Sequence, residues 1–577
     1  MFLDLFFNIS FFLNRYFKIR LLALFFLNLI NTLLDIISIS AVPAIIIFFL
    51  KKNEVSVEIN YISELLNYFL HFTENIPFSI IFLLVLSFFL LKTILNIIYF
   101  YNYTKYGFDL EIKISKELVR RKLGDDYLDY TKNTYSSFLN LMTTIITEFI
   151  QNNFMISFQI FINIVTISVF TIFLALINPI TTFSIIVISF IIFFIYYFLT
   201  KKRFIFFGKY KLILVEKTLA QIKDIFYSFK EIKLYGKEKF FIDKFINVKK
   251  AWAINKIKFQ IISNLPKLLL EFFLILVIGL IFFFSRNMNL QIETILVNTT
   301  IFLIAAQRLF PKVIVIVRNF SKINYSKKAQ KILIKELEKN IFENKDNIEI
   351  QFKSNILLNN ISFDYETKNT IIENLNLKIK KNSFIGIKGE SGRGKTTLTN
   401  IIMGLIKPTK GEIIIDNYIN IHNGIHSYRR LIAYVPQKIY ILNDTIKNNL
   451  FLEDYNKKSI DDDEILKILN LVRLNSFKES TGTDILNSII SDTTFKASEG
   501  EIQRFGIARA LLQKKEIIIL DEITSSLDEK NEANILNILK SLKNNATIIM
   551  ISHKSSSLKL CDELYTLENK NLIKSNL

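Results

Sequence analysis

Long apolar windows crowd the first 320 residues, separated at wide intervals by charged stretches. Runs near Leu21–Leu50, Ile76–Tyr101, Met155–Leu176, Thr181–Leu199, Leu268–Phe284 and Ile292–Val317 are about as long as a helix must be to cross a bilayer core of about 30 Å. The pattern predicts six membrane-spanning helices, with only the tight turn Ile177-Asn178-Pro179 between the third and fourth. Some runs exceed one crossing, so those helices tilt or continue into the cytoplasm. After Phe320 the rhythm changes. SKKAQKILIKELEKNIFENKDN is charged with a helical period, and IEIQFKSNILLNNISFDY alternates as strands do. Apolar strands then alternate with helical windows to the end, the pattern of an α/β domain.

Composition agrees. Hydrophobic residues make up 51% of the 577, with 55 Phe and only 7 Pro, and mean hydropathy is +0.33. Charge then orients the spans. Arg15, Lys18 and Arg20 precede the first, the loop at 103–150 opens with Lys105, Lys113, Lys116, Arg120, Arg121 and Lys122, and the loop at 200–262 is richer still. The segment after the first span carries Glu54, Glu58, Glu64 and Glu74 against Lys51 and Lys52. The positive-inside rule therefore puts both termini and both long loops in the cytoplasm. Topology thus accounts for most of the formal net charge of +20. No basic–aromatic platform suggests a nucleic-acid partner. Residues 1–20 lack a small-residue cleavage site and read as an amphipathic helix on the inner surface. The single Cys561 excludes an intramolecular disulfide, and the four His are scattered.

The candidate chemistry lies in the α/β half. The chain has only 15 glycines, yet Gly389, Gly392 and Gly394 fall together in GESGRGKTT. The stretch fits G-x-x-x-x-G-K-[ST], follows the apolar run Phe384–Ile387 and precedes a helix-like TTLTNIIMGLI. That is the strand–loop–helix setting of a phosphate loop. Backbone N–H groups at a helix N-terminus favour an anion there. Lys395 is placed to reach the β- and γ-phosphates and Thr396 to ligate Mg²⁺. Glu390, Ser391, Arg393 and Thr397 fill the rest of the nucleotide-binding stretch. IIILDE at 517–522 reads as an apolar strand ending in two carboxylates. Asp521 suits the Mg²⁺ shell, and Glu522 is placed to polarise an attacking water.

Gln437 in AYVPQ, ASEGEIQRFGIARAL at 497–511, SSLD at 525–528 and His553 after TIIMIS complete an ordered set. The order of phosphate loop, Gln, signature, Asp-Glu and His resembles the ATP-binding-cassette proteins. With six preceding spans, the chain resembles a half-transporter of the ABC exporter type. The expected fold is an α-helical six-span transmembrane exporter domain (1–325), a linker (326–345) and an α/β P-loop nucleotide-binding domain (346–577). The resemblance implies two chains stacked head to tail around two ATP, either two copies of this chain or a heterodimer. It implies that Tyr365 in ISFDY stacks on adenine, and that Ser391, Lys395 and Thr396 hold phosphates and Mg²⁺. Gln437 and Asp521 would complete the Mg²⁺ and water shell, and His553 would sense the γ-phosphate. Ser498 and Gly500 would close on the γ-phosphate held by the opposite chain. Short helices near Tyr127–Ser136 and Gln221–Lys230 would press on the partner's and the chain's own nucleotide domains.

One departure stands out. Where the family usually carries Leu-Ser-Gly-Gly-Gln, this chain has Ala497-Ser498-Glu499-Gly500-Glu501. Glu499 puts a carboxylate near the docking place of a γ-phosphate, which is either tolerated with Glu499 facing solvent or slows hydrolysis. A third possibility is that the chain is a non-transporting, ATP-gated regulator.

Three cations interrupt the spans: Lys92, Lys267 and Arg308. Lys92 and Arg308 each lie about 16 residues past an outer span end, roughly 24 Å down at 1.5 Å per residue. Lys267 begins a span from the inner side, so its depth is similar. Intramembrane charges usually mark a substrate path, and a basic collar suits a diphosphate headgroup. Snorkelling or pairing, such as Lys267 with Glu271, is the alternative. Residues 57–73 form an external amphipathic segment with Ile59, Ile62, Leu65, Leu66 and Phe69 on one face. With these cations, the segment resembles that of bacterial flippases for the lipid-linked oligosaccharides of protein N-glycosylation. This resemblance implies a lipid-linked glycan substrate and a place in the bacterial cytoplasmic membrane. A general exporter of lipid, peptide or drug is the other expectation.

Overall fold

The long apolar windows fold as long helices: α1 (Arg15–Phe49), α2 (Phe78–Leu123), α3 (Met155–Ile177), α4 (Pro179–Tyr227), α5 (Glu238–Asn287) and α6 (Ile292–Glu338). The computed structural model describes residues 14–49, 78–132, 134–177, 179–287, 292–339, 348–365, 370–390, 392–453, 461–474, 485–490, 498–524, 528–543 and 545–575. The segment 57–73, most of 1–20, Ser391, Ala497 and residues 525–527 lie outside the described residues, as does the side chain of Arg308. Among the described residues, Arg15–Asp35, Phe82–Leu123 and Tyr135–Phe173 contain windows long and apolar enough to cross a membrane. α2, α4, α5 and α6 have 46, 49, 50 and 47 residues. At 1.5 Å per residue each is about 70 Å long, roughly twice a bilayer core. α6 carries the charged stretch after Phe320 as unbroken helix through Glu338, where the sequence pattern suggested a linker from 326.

Contacts divide the chain into two compact units, 1–124 with 132–341 and 125–131 with 342–577. The first is helical and turned inside out by comparison with a soluble protein. Leu83, Phe100, Phe190 and Phe198 are exposed, while polar groups join the helices. Arg20 of α1 meets Asp109 of α2 at 2.6 Å. Asn28 Nδ2 donates to Thr166 Oγ1 of α3 at 3.3 Å, and Thr32 Oγ1 lies 3.2 Å from the same oxygen. Asn319 of α6 donates to Gln159 of α3 at 3.0 Å. Tyr196 of α4 donates to the Ile262 carbonyl of α5 at 2.9 Å. In lipid, where apolar burial adds little between helices, such bonds contribute about 1 kcal/mol each.

The second unit holds two main sheets. β1 (Asn355–Asp364), β2 (Thr370–Lys380), β4 (Lys410–Ile415) and β5 (Ile419–Asn420) form an antiparallel sheet in the order β2-β1-β4-β5. β3 (Phe384–Lys388), β6 (Ile432–Val435), β9 (Ile517–Asp521), β10 (Thr547–Ile551), β11 (Glu563–Glu568) and β12 (Asn571–Ser575) form the other, ordered β12-β11-β3-β10-β9-β6. A ribbon of β7 (Asp444–Thr445) and β8 (Ile489–Ile490) stands apart. Every pair from β11 to β6 is parallel. Such strands are covered on both faces, which is why they read as continuous apolar runs. Ile548 and Met550 enter one apolar cluster with Ile518 and Leu520, while Ile549 and Ile551 enter the other with Ile517 and Ile519.

The short helix Tyr127–Thr131 belongs to this second unit, with Tyr127 and Leu128 packed against the second cluster. Tyr127 and Leu128 are partly buried there, while Tyr130 of the same helix stays exposed.

Candidate functional site

Parallel register collects the motifs at one sheet edge. Ile551 of β10 stands level with Ile387 of β3 and with Asp521 of β9, and Val435 of β6 with Leu520. The residues just beyond these C-terminal ends are therefore neighbours: Gly389, Gln437, Glu522 and His553. This is where open α/β sheets bind ligands.

The phosphate loop runs from β3 to α7 (Lys395–Ile402). Gly392 and Gly394 hold φ of +82° and +99°, the left-handed region that side chains resist. A Cβ on Gly394 would also come within 2.7 Å of Ile371 Cγ2. Thr396 is exposed in the first turn of α7, while Lys395 and Thr397 are buried. Lys395 Nζ folds back to donate to the Gly389 carbonyl at 2.6 Å. Glu390 and Arg393 pair with each other at 2.9 Å on the exposed rim of the loop. Tyr365, at the end of β1, packs edge-on to Phe363, and its hydroxyl lies 3.3 Å from Thr397 Oγ1.

Four motifs meet at Glu522. Its Oε1 is 3.4 Å from Lys395 Nζ and 3.1 Å from His553 Nε2, and Lys395 and His553 also meet each other. Gln437 Nε2 donates to Glu522 Oε2 at 2.8 Å. The Glu522 backbone holds φ of +53° and donates its N–H to the Ile551 carbonyl at 2.9 Å. Asp521 accepts a hydrogen bond from Tyr434 at 3.2 Å. Burial holds the Asp521 carboxyl above its ordinary range against that hydrogen bond, and the neighbouring Glu522 charge pushes the same way. Sequence reasoning missed Tyr434, which looked like an ordinary strand residue.

The geometry suits a nucleoside triphosphate. The glycine loop leaves its backbone open to phosphates, with Lys395 beneath it and a helix N-terminus behind it. Thr396, Gln437 and Asp521 offer a hydroxyl, an amide carbonyl and a carboxylate, the oxygen donors that suit Mg²⁺. Bound there, Mg²⁺ would neutralise charge on the phosphate oxygens.

Ser498 and Gly500 lie elsewhere. Among the described residues no hydrogen bond or ion pair joins either to the phosphate loop. Ser498 is the N-cap of α8 (Glu499–Leu512) in a full capping box. Its Oγ accepts from the Glu501 N–H at 3.3 Å and donates to Glu501 Oε2 at 3.0 Å. Glu499 is exposed. The consequential departure is thus Glu501, which occupies the serine hydroxyl, and the S-x-x-E spacing was its signal in the sequence.

The cations of the helical unit are placed separately. Lys92 is buried, with Nζ 2.7 Å from Asp35 Oδ1 of α1. Lys267 is largely exposed, 3.8 Å from Glu271. Each of these two stands beside a carboxylate, and for Lys267 the partner is the Glu271 that the sequence offered.

The family model described as the ABC transporter transmembrane region matches residues 21–309, and the ABC transporter model matches residues 372–525. The chain belongs to the ABC transporters. This ABC transporter is 35% identical over 232 residues to an export ATP-binding/permease protein of Rickettsia typhi, a match covering 40% of this chain and 38% of that one. It is 32% identical over 356 residues to the ATP-dependent lipid A-core flippase of Wigglesworthia glossinidia brevipalpis, covering 60% of this chain and 59% of the flippase. The chain thus spans less than two thirds of the length of these relatives. Its fold matches a bacterial Atm1-family ABC exporter with ATP bound at a TM-score of 0.76 and 16% identity, over 97% of this chain and 94% of that one. The fused helical and ATP-binding regions are those of a multi-pass half-transporter.

Proposed function

We propose that this ABC transporter works as a dimer of identical chains in the bacterial cytoplasmic membrane. It hydrolyses ATP to flip a polyprenyl-diphosphate-linked oligosaccharide, or a similar lipid-linked glycan, to the outer leaflet. The ATPase half of the reading rests on the Glu522 cluster. Glu522 is the base that polarises water, Gln437 and His553 orient it, and Lys395 holds the phosphates. Tyr365 faces the adenine, and Ser498 with Gly500 serves the nucleotide of the second copy. Phe226, Tyr227, Phe229 and Tyr235, all exposed around the turn after α4, are covered by that copy.

The observation that carries the lipid half is Lys92, a buried cation well inside a helix with a membrane-crossing window. An ionisable residue at such a position marks a substrate path by default. A relative that is named a lipid A-core flippase supports a lipid substrate. The carboxylates beside Lys92 and Lys267 favour a second reading, a general exporter of less charged amphiphiles. The deciding experiment follows a fluorescent polyprenyl-diphosphate oligosaccharide in proteoliposomes with ATP. ATP-dependent flipping should occur in the native chain and fall about tenfold in Lys92→Gln, the scale of one lost charge contact. Basal ATP turnover should hold. Turnover without any flipping would replace this substrate by the general exporter.

The signature helix supplies a separate prediction. Glu501→Gln keeps the capping box but frees the Ser498 hydroxyl from a carboxylate. ATP turnover should rise about fivefold, the worth of roughly 1 kcal/mol. An unchanged phosphate-release rate would show that Glu501 does not restrain Ser498.

A further inference from the structure

Asp35 lies inside an apolar window of α1, and its partner Lys92 is on α2. The pair, 2.7 Å apart, is incompletely sealed: the side chains are 24% and 11% exposed. Phe89 adds a ring 5.6 Å from the ammonium. On α1, Asn28, Asn31, Thr32 and Asp35 recur at intervals of three and four, so they share one face. Asn28 and Thr32 are engaged by Thr166 of α3. Asn31 is not. It is 5% exposed, and among the described residues neither its amide nitrogen nor its amide oxygen has a partner.

A buried orphan amide destabilises a fold unless a second arrangement uses it. Asn31 and Asp35 are one helical turn apart, the spacing at which Asn and Asp side chains reach each other. We propose that Asp35 is an internal counter-anion that the anionic headgroup of the substrate displaces. Empty of substrate, Lys92 is neutralised by Asp35, as a cation at membrane depth requires. When a phosphate-bearing headgroup takes Lys92, the released carboxylate turns to the free Asn31 NH₂. Lys92 keeps an anionic partner in both states, the displaced carboxylate gains a hydrogen-bond donor, and only an anion strong enough to compete with Asp35 is admitted. A static helix staple would need the ion pair but would have no use for an unpaired amide beside it. The inference rests on the reading of Lys92 as a headgroup contact.

The test is lipid binding to the purified full chain, titrated by native mass spectrometry with polyprenyl diphosphate, phosphatidic acid and uncharged diacylglycerol. Asp35→Asn should tighten both anionic lipids about tenfold by removing the competitor, and Asn31→Leu should weaken them about fivefold. In the Asp35→Asn background Asn31→Leu should have no effect, and diacylglycerol binding should not change in any variant. Weaker anion binding in Asp35→Asn, or an Asn31→Leu effect of the same size in both backgrounds, overturns the exchange. If polyprenyl diphosphate binds regardless of both residues, the exchange falls and the substrate reading stands. If only phosphatidic acid shows the coupling, the exchange stands and the diphosphate substrate falls. Asn31→Leu leaves the ion pair intact, so it decides the matter even if Asp35→Asn does not fold. Weakened phosphatidic acid binding supports the exchange, and unchanged binding refutes it.

Discussion

Glu522→Gln is expected to lower ATP turnover by at least about 100-fold, the usual contribution of a general base, while ATP still binds. The substitution keeps the shape of a side chain that four elements position. Gln437 comes from the end of β6, His553 from the end of β10, Lys395 from the phosphate loop, and the Glu522 backbone is fixed by its bond to Ile551. Only the charge and the basicity are lost. The ammonium of Lys395, which the carboxylate now shares with the Gly389 carbonyl, is then freer for phosphate, so affinity for a fluorescent ATP analogue should hold or rise. Steady-state phosphate release and equilibrium binding, measured on the same preparation, separate the two effects. Turnover within a few-fold of the native chain would remove Glu522 from the role of base and leave the cluster a nucleotide clamp without hydrolysis.

The parts of the site that sequence reasoning reached share a physical property: their chemistry is local. Gly394 at φ +99°, Lys395 one residue on and the apolar strand before them are neighbours in the chain, so the loop announces itself. IIILDE carries its strand and its two carboxylates together. The parts it missed depend on register or packing between distant segments. Tyr434 reaches Asp521 only because β6 and β9 run parallel with Tyr434 level with Ile519. Asp35 matters only because α1 and α2 lie side by side, although its face of Asn28, Asn31 and Thr32 was written in the sequence. Glu501 was hidden for another reason. Comparison with the family signature drew the eye to Glu499, whose carboxylate is exposed, and away from an S-x-x-E capping box. The helices themselves were legible from apolar length alone.

Gly208→Val is expected to abolish folded protein, and Gly208→Ala to destabilise it by about 3 kcal/mol, the upper range for overpacking. A Cβ at Gly208 of α4 would lie 1.7 Å from the Tyr325 carbonyl oxygen of α6, 2.6 Å from its carbonyl carbon and 3.0 Å from its Cα. All three are backbone atoms of a long helix, so no rotamer change can yield. The neighbours make retreat costly as well. Phe259 of α5 packs on the Tyr325 ring at 4.1 Å, and Asn255 donates to the Phe207 carbonyl at 3.0 Å. Lys211 sits over the same tyrosine ring and pairs with Glu148. Small residues at such crossings let helices approach closely where apolar burial gives little drive to associate. Gly107 of α2 is the control, because its nearest neighbours are the flexible Met155 side-chain atoms at 3.5 to 3.7 Å. Gly107→Ala should melt with the native chain in detergent, while Gly208→Ala melts several degrees lower and Gly208→Val yields no monodisperse protein. Equal melting of the two alanine variants would mean that α4 and α6 do not approach this closely, and the polar contacts around Tyr325 would then need another partner to hold them.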